Sequence, residues 1–230
     1  MLLLAVDTAT PAVTAALHDG TKVLAESSRV DARRHGELLL PAVDRVLAEA
    51  GVALDAVTAV VTGVGPGPYT GLRVGLVTAA TFGSALGVPV YGLCTLDGLA
   101  YAAGRDAGVT GPFVVATDAR RKEVYWARYA SPRERVTGPA VDRPADIAEQ
   151  LAGLPAVGAG ALLYPDAFPT VVPGAPEHVS AAALAALAAE KLAEGGDAGP
   201  AEGAFLPPQP LYLRRPDAQV PKNYKVVTPQ

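Results

Sequence analysis

Three short stretches of this 230-residue sequence carry side chains and glycines of the kind that handle anions. Asp7 and Thr8 close an apolar run at the N-terminus. A carboxylate and a hydroxyl at a strand end satisfy nearby backbone groups in an Asx-type turn. Residues 63–71, GVGPGPYTG, follow a β-branched run at 57–62 and lead into a small-residue apolar segment. Strand, glycine loop and helix in that order place free N–H groups at a helix N-terminus, where an anion is welcome. Gly65 and Gly67 would line such a cradle, and Thr70 is the predicted N-cap. The loop lacks the Lys-Ser/Thr of a Walker loop, and Thr70 breaks the G-x-G-x-x-G spacing. A phosphate cradle and a turn that merely needs glycine dihedrals both remain open. Asp118, opening DARRK, ends a second apolar run as Asp7 ends the first.

Other chemistries find little support. His18, His35 and His178 are scattered without ligand spacing, so no metal site is expected. Cys94 lies in an apolar context that reads as core. Neither Ser84 nor Ser180 has a glycine elbow or a paired base.

The composition bounds the remaining classes. Half the residues are hydrophobic and mean hydropathy is +0.25, enough for a sizeable core, although alanine contributes much of it. A net charge of −4 argues against a chain that grips nucleic acid unaided. A single cysteine fits a reducing compartment. The apolar N-terminus lacks a basic region and reaches Asp7 too soon for a signal peptide or a membrane span. A cytoplasmic protein without membrane association is expected.

Those residues need elements to hold them. Runs at 2–6, 11–17 and 22–27 read as three strands of a meander. Residues 35–50 carry apolar side chains at helical spacing, with Gly51 as C-cap and Pro41 predicting a later start. A strand at 57–62, the loop, a helix to Leu86, a strand at 88–93 and a helix at 95–103 complete the first half. In the second half, 113–117 and 123–129 read as a hairpin and 179–194 as a helix capped by Ser180. Residues 195–210 read as a loop, 211–213 as a short last strand and 220–230 as a tail. Two α/β domains follow, at 1–104 and 105–230, each opening with strands that turn at an aspartate.

That plan resembles the actin-like ATPase (sugar kinase, Hsp70) superfamily: two α/β domains with mixed sheets flanked by helices. AVDTAT, GVGPGPYTGLRVGL, GVPVYGLCTLDGLA, DARRKEVYWARY and PLYLRRPDA fall in an order similar to the TsaB (YeaZ) family, over residues 1 to about 218. That family is a subunit of the bacterial machinery that makes threonylcarbamoyladenosine in tRNA. Its members usually carry Ser or Thr and then Phe where this chain has Pro68-Tyr69.

The resemblance implies a non-catalytic partner of the catalytic relative TsaD, which moves a threonylcarbamoyl group to N6 of adenine in tRNAs reading ANN codons. It implies docking to TsaD or to a second copy of itself, a site for the ATPase TsaE within the complex, and only indirect contact with tRNA. The metal-binding His-x-x-x-His of TsaD falls on Thr95 and Leu99 here, so no required cofactor is implied. Side chains at Arg120–Lys122 would crowd a nucleotide, leaving room for weak ATP or ADP binding through Asp7, Thr8, Gly65, Gly67, Thr70 and Asp118. A small-molecule kinase or ATPase acting alone is the alternative, and a metallopeptidase is opposed by the missing histidines.

The helix after the glycine loop carries Gly71, Gly75, Ala79 and Gly83 four residues apart and is apolar nearly all round. Such a face packs on the protein's own sheet or on a partner. An interface is expected through Leu39, Val43, Leu72, Gly75 and Ala79, with His35 at its border.

Overall fold

The structure, a computed structural model, describes residues 1–195 and 202–214. The expected tail at 220–230 lies outside them.

The first sheet contains β1 (Leu3–Asp7), β2 (Ala12–His18), β3 (Val23–Val30), β4 (Ala59–Gly63) and β5 (Val90–Leu93), in the order β3-β2-β1-β4-β5. β1 to β3 form the expected antiparallel meander, and β4 and β5 add in parallel beside β1. The central strands are apolar throughout because both faces are covered. Leu4, Val6, Val13, Leu17 and Val60 pack under α1 (His35–Ala50) and α2 (Tyr69–Leu86). Leu3, Ala5, Ala16, Ala59 and Val61 turn the other way, toward α3 (Thr95–Ala107) and α6 (Ala181–Glu194).

The second sheet has the order β8-β7-β6-β9, from β6 (Phe113–Asp118), β7 (Val124–Ser131), β8 (Glu134–Asp142) and β9 (Ala156–Val157). Phe113, Val115, Ala127 and Tyr129 join the α3–α6 layer, so one core runs between the sheets. Val114, Val124 and Trp126 pack outward against Ile147, Leu151 and Phe168, which belong to the short turns around α4 (Pro144–Ile147) and α5 (Ala159–Leu163). α6 lies in the second half of the sequence yet sits on the first sheet. Its N-terminus is capped by Ser180 Oγ, as expected, and by the Thr14 hydroxyl of β2, which accepts from Ala181 N–H at 3.0 Å.

Several expectations need correction. α1 begins at His35 with Pro41 inside it, because a proline seven residues into a packed amphipathic helix loses one hydrogen bond without breaking the face. Thr70 does not cap α2; the helix starts two residues earlier than that cap would set it, the N-cap is Pro68, and Thr70 is exposed in the first turn. Residues 211–213 form no strand. The sheet contact comes earlier, where Leu206 bridges Gly92 on the β5 edge. β8 escaped the sequence because Gly138-Pro139 and three register shifts break its alternation.

Candidate functional site

Between the sheets lie two small hollows, the natural place for a ligand in a two-sheet α/β protein. One, of about 190 Å³, is lined by Thr10, Thr117, Asp118, Ala159, Leu163 and His178 among others. The second, of about 130 Å³, is lined by Thr8, Thr10, His35, Thr70, Asp118 and Arg120 and meets the N-terminus of α2. Both fall below the roughly 300–1,000 Å³ of ordinary ligand pockets.

Asp7 is completely buried and does not open into either hollow. Its Oδ1 accepts from Ala9 N–H at 2.8 Å and its Oδ2 from the Thr95 hydroxyl at 2.7 Å. The Thr95 oxygen in turn accepts from Gly65 N–H at 3.2 Å. The carboxylate therefore bolts β1 to the glycine loop and to the start of α3. Burial pushes its pKa up to about 6, against the opposing pull of the Thr95 and Ala9 hydrogen bonds. Gly63 is needed above it, since a Cβ there would lie 1.6 Å from Asp7 Oδ2.

Thr8 is likewise turned inward. Its hydroxyl donates to Gly71 O at 2.7 Å and accepts from Gly75 N–H at 2.8 Å, pinning α2 to the first turn. A Cβ at Gly75 would stand 2.8 Å from that hydroxyl, and one at Gly67 would stand 2.2 Å from Ala9 O. Gly65 adopts φ +97° and packs against Leu72. The glycine loop is thus spent on closeness to the Asp7–Ala9 turn rather than on a cradle facing the cleft.

Asp118 stays half-buried at the cleft, where Oδ1 accepts from Arg120 N–H at 2.7 Å and Oδ2 lies 3.3 Å from the Arg120 guanidinium. Arg120, Arg121 and Lys122 take left-handed φ values of 62°, 57° and 62°. That conformation costs a non-glycine residue about 1–2 kcal/mol. The β6–β7 turn at the cleft therefore carries three long side chains. His35 caps the smaller hollow by donating from Nε2 to Thr10 O at 2.9 Å.

The expected interface residues require the plainest correction. Leu39, Val43, Leu72, Gly75 and Ala79 are all buried within the chain itself. The small residues of α2 let it approach β1 and β4, so the packing reading wins for that face. What α2 shows to solvent is the opposite stripe of Tyr69, Arg73, Val77, Thr81 and Ser84. Val77 is 64% exposed and Tyr69 50%.

The sequence of the chain matches the model of the TsaD family, tRNA N6-adenosine threonylcarbamoyltransferase, over residues 22–222. Two solved Pseudomonas aeruginosa structures share the fold. The one described as YeaZ superposes with a TM-score of 0.75 at 30% identity, covering 92% of this chain and all of that one. The other, an uncharacterized protein with similarity to peptidase YEAZ, gives 0.76 at 32% over 93% and 99% of the two chains. The chain belongs to the TsaB/YeaZ family. The Escherichia coli tRNA threonylcarbamoyladenosine biosynthesis protein TsaB is 38% identical over 130 residues, 56% of this chain and 55% of that protein. An uncharacterized Mycobacterium tuberculosis protein is 44% identical over 223 residues, 94% of this chain and 93% of that one.

The residues present do not fit the metal that the resemblance to TsaD implies. The two positions to which that resemblance assigns histidines hold Thr95, whose hydroxyl is committed to Asp7, and Leu99, fully buried in the core. Among the described residues no group of three or more His, Cys, Asp and Glu could hold a metal ion, and no helix is long and apolar enough to cross a membrane. Cys94 is buried, and burial pushes its thiol pKa up to about 12, which leaves it unreactive.

The C-terminal strap, residues 205–214, overlaps the PLYLRRPDA block, but the sequence reading gave its residues no place at a site. Arg214 pairs with Glu123 and donates to Ala119 O, reaching the β6–β7 turn. Tyr212 stacks on Tyr69 with ring centroids 5.2 Å apart, and Arg73 Nε donates to the Tyr212 hydroxyl at 2.8 Å. The available signal was Arg73 itself, the sole charged residue in α2.

Proposed function

We propose that this TsaB/YeaZ-family chain is a non-catalytic subunit that pairs with TsaD in transferring threonylcarbamoyl to N6 of adenine in tRNAs reading ANN codons. The observation that carries the reading is the fate of Asp7. The carboxylate that an actin-like ATPase turns toward metal and phosphate is here sealed beneath Gly63, with both oxygens hydrogen-bonded inside the fold. Asp118 is folded onto its own turn by Arg120. Neither carboxylate is set up to move a proton or hold a metal, so the contribution to rate is binding energy at an interface.

The interface is the solvent stripe of α2, together with Leu40 on α1, 52% exposed. Apolar side chains on an outward helix face mark a docking surface. α1 and α2 cover the sheet face opposite the α3–α6 layer, so a partner docks without entering the cleft. Occupancy of this surface by TsaD completes a site for the ATPase TsaE, and tRNA meets the assembly mainly through TsaD. The chain needs no cofactor, and ATP or ADP binds at most weakly beside Asp118.

Size-exclusion chromatography with light scattering tests this, on the chain alone and mixed with TsaD of the same source. A 1:1 complex, replacing any self-dimer, is the expected result. A chain indifferent to TsaD, with ATP turnover of its own, would restore the kinase reading.

A further inference from the structure

The C-terminal strap crosses the first sheet and ends at the second. Leu206 exchanges backbone hydrogen bonds with Gly92 on the β5 edge, at 2.9 and 3.2 Å, and Phe205 packs on Tyr91. Leu206 and Leu211 pack against the cluster of Ala9, Val64, Leu72 and Leu76, and Leu211 N–H donates to Val64 O at 2.8 Å. Three residues on, Arg214 is fixed to the β6–β7 turn. Tyr212 is therefore held from both sides, yet it remains 43% exposed.

It is held against α2. The Arg73 guanidinium carbon lies 3.8 Å from the centroid of the Tyr69 ring and 6.0 Å from that of Tyr212. Stacking and one hydrogen bond fix the plane of a guanidinium that stays exposed and, among the described residues, pairs with no carboxylate. α2 carries no acidic residue, and one turn beyond Arg73 its surface is the bare Val77. A fixed planar cation beside apolar surface is suited to a carboxylate that arrives with apolar neighbours.

We propose that Tyr69, Arg73 and Tyr212 form a composite receptor for one carboxylate on an apolar helix of the partner, with the C-terminal strap as an integral part of the docking surface. This rests on the reading that the chain pairs with TsaD. Tyr212 preorganises the arginine, so losing the strap residue costs affinity although most of the surface is α2.

Calorimetric titration of the full-length chain with TsaD tests it, with thermal unfolding of each variant as the folding control. Arg73→Glu is expected to weaken binding at least about tenfold, as losing a desolvated charge pair does. Arg73→Lys, which keeps the charge and loses the planar stack, and Tyr212→Ala should each fall in between. Tyr212→Phe, which loses only the hydroxyl, should sit closest to the unsubstituted chain. If Arg73→Glu binds normally while Val77→Asp blocks binding, this inference fails and TsaD pairing stands. If the unsubstituted chain does not bind TsaD, the pairing reading fails and takes the inference with it. Loss of self-association with TsaD binding intact would make a second copy the occupant and overturn the proposal.

Discussion

The Thr95 hydroxyl donates to the Asp7 carboxylate at 2.7 Å, joining the first strand to a helix that begins 88 residues later. The same oxygen accepts from Gly65 N–H, so one side chain ties together the end of β1, the glycine loop and the start of α3. Thr95→Val keeps the shape and removes both hydrogen bonds. We expect a loss of about 2–4 kcal/mol, because a buried acceptor and a buried donor are left unpaired. Urea unfolding near neutral pH measures it. A loss below about 0.5 kcal/mol, the scale of an ordinary surface change, would show that the bolt contributes nothing.

Asp7 also makes stability depend on pH in a definite direction. Its folded pKa, about 6, lies above the ordinary 3.8, so between those values the folded state binds more protons than the unfolded one. Stability from this group is then fully present below about 3.8 and is lost as pH rises through about 6, by roughly 3 kcal/mol in total. Asp7→Asn removes the titration. The stability of the unsubstituted chain minus that of the variant should fall between pH 4 and pH 7. A flat or rising difference would contradict a raised pKa.

Gly75 separates packing from docking. Gly75→Ala places a methyl against the Thr8 hydroxyl, and overpacking at such a contact costs about 1–3 kcal/mol. The variant should lose thermal stability in the isolated chain. Unchanged stability with lost TsaD binding would return Gly75 to the interface, where the sequence had placed it.

Val77→Asp acts on the opposite side of the same helix. With Val77 64% exposed, stability should change by less than about 0.5 kcal/mol. Association with TsaD should fall at least about tenfold, since a carboxylate would be buried at the contact. Light scattering of the mixture reads this. Retained binding would move the docking surface off α2.

The outline of the fold was legible because its signals are local. β1 to β5, α1, α2 and α6 announce themselves through apolar runs, helical spacing and glycine punctuation, and Gly51 and Ser180 act as the caps they resemble. The second sheet was only half legible, since β8 is interrupted at Gly138-Pro139 and β9 is two residues long. Asp7, Thr8 and the glycine loop were recognised as a group, and the structure does bring them together. Their direction was hidden, because it depends on Thr95, which nothing nearby in the sequence marks as a partner. The i,i+4 row of small residues on α2 admits a sheet or a partner equally well; only the burial of Leu72 and Ala79 decides. Tyr212 and Arg214 lie in the PLYLRRPDA block that carries the resemblance, but they act through a strap that lacks periodicity, so their contacts with Arg73 and Glu123 were hidden.

The most direct test of a non-catalytic docking role is reconstituted threonylcarbamoyl transfer to tRNA, with TsaD and its other components present. Asp7→Asn and Val77→Asp would each replace the unsubstituted chain, at a temperature where both variants are folded. The account predicts that Asp7→Asn supports full transfer, while Val77→Asp supports it only when enough protein is added to restore the complex. Transfer abolished by Asp7→Asn while TsaD binding is intact would contradict it, placing chemistry in this chain's own cleft.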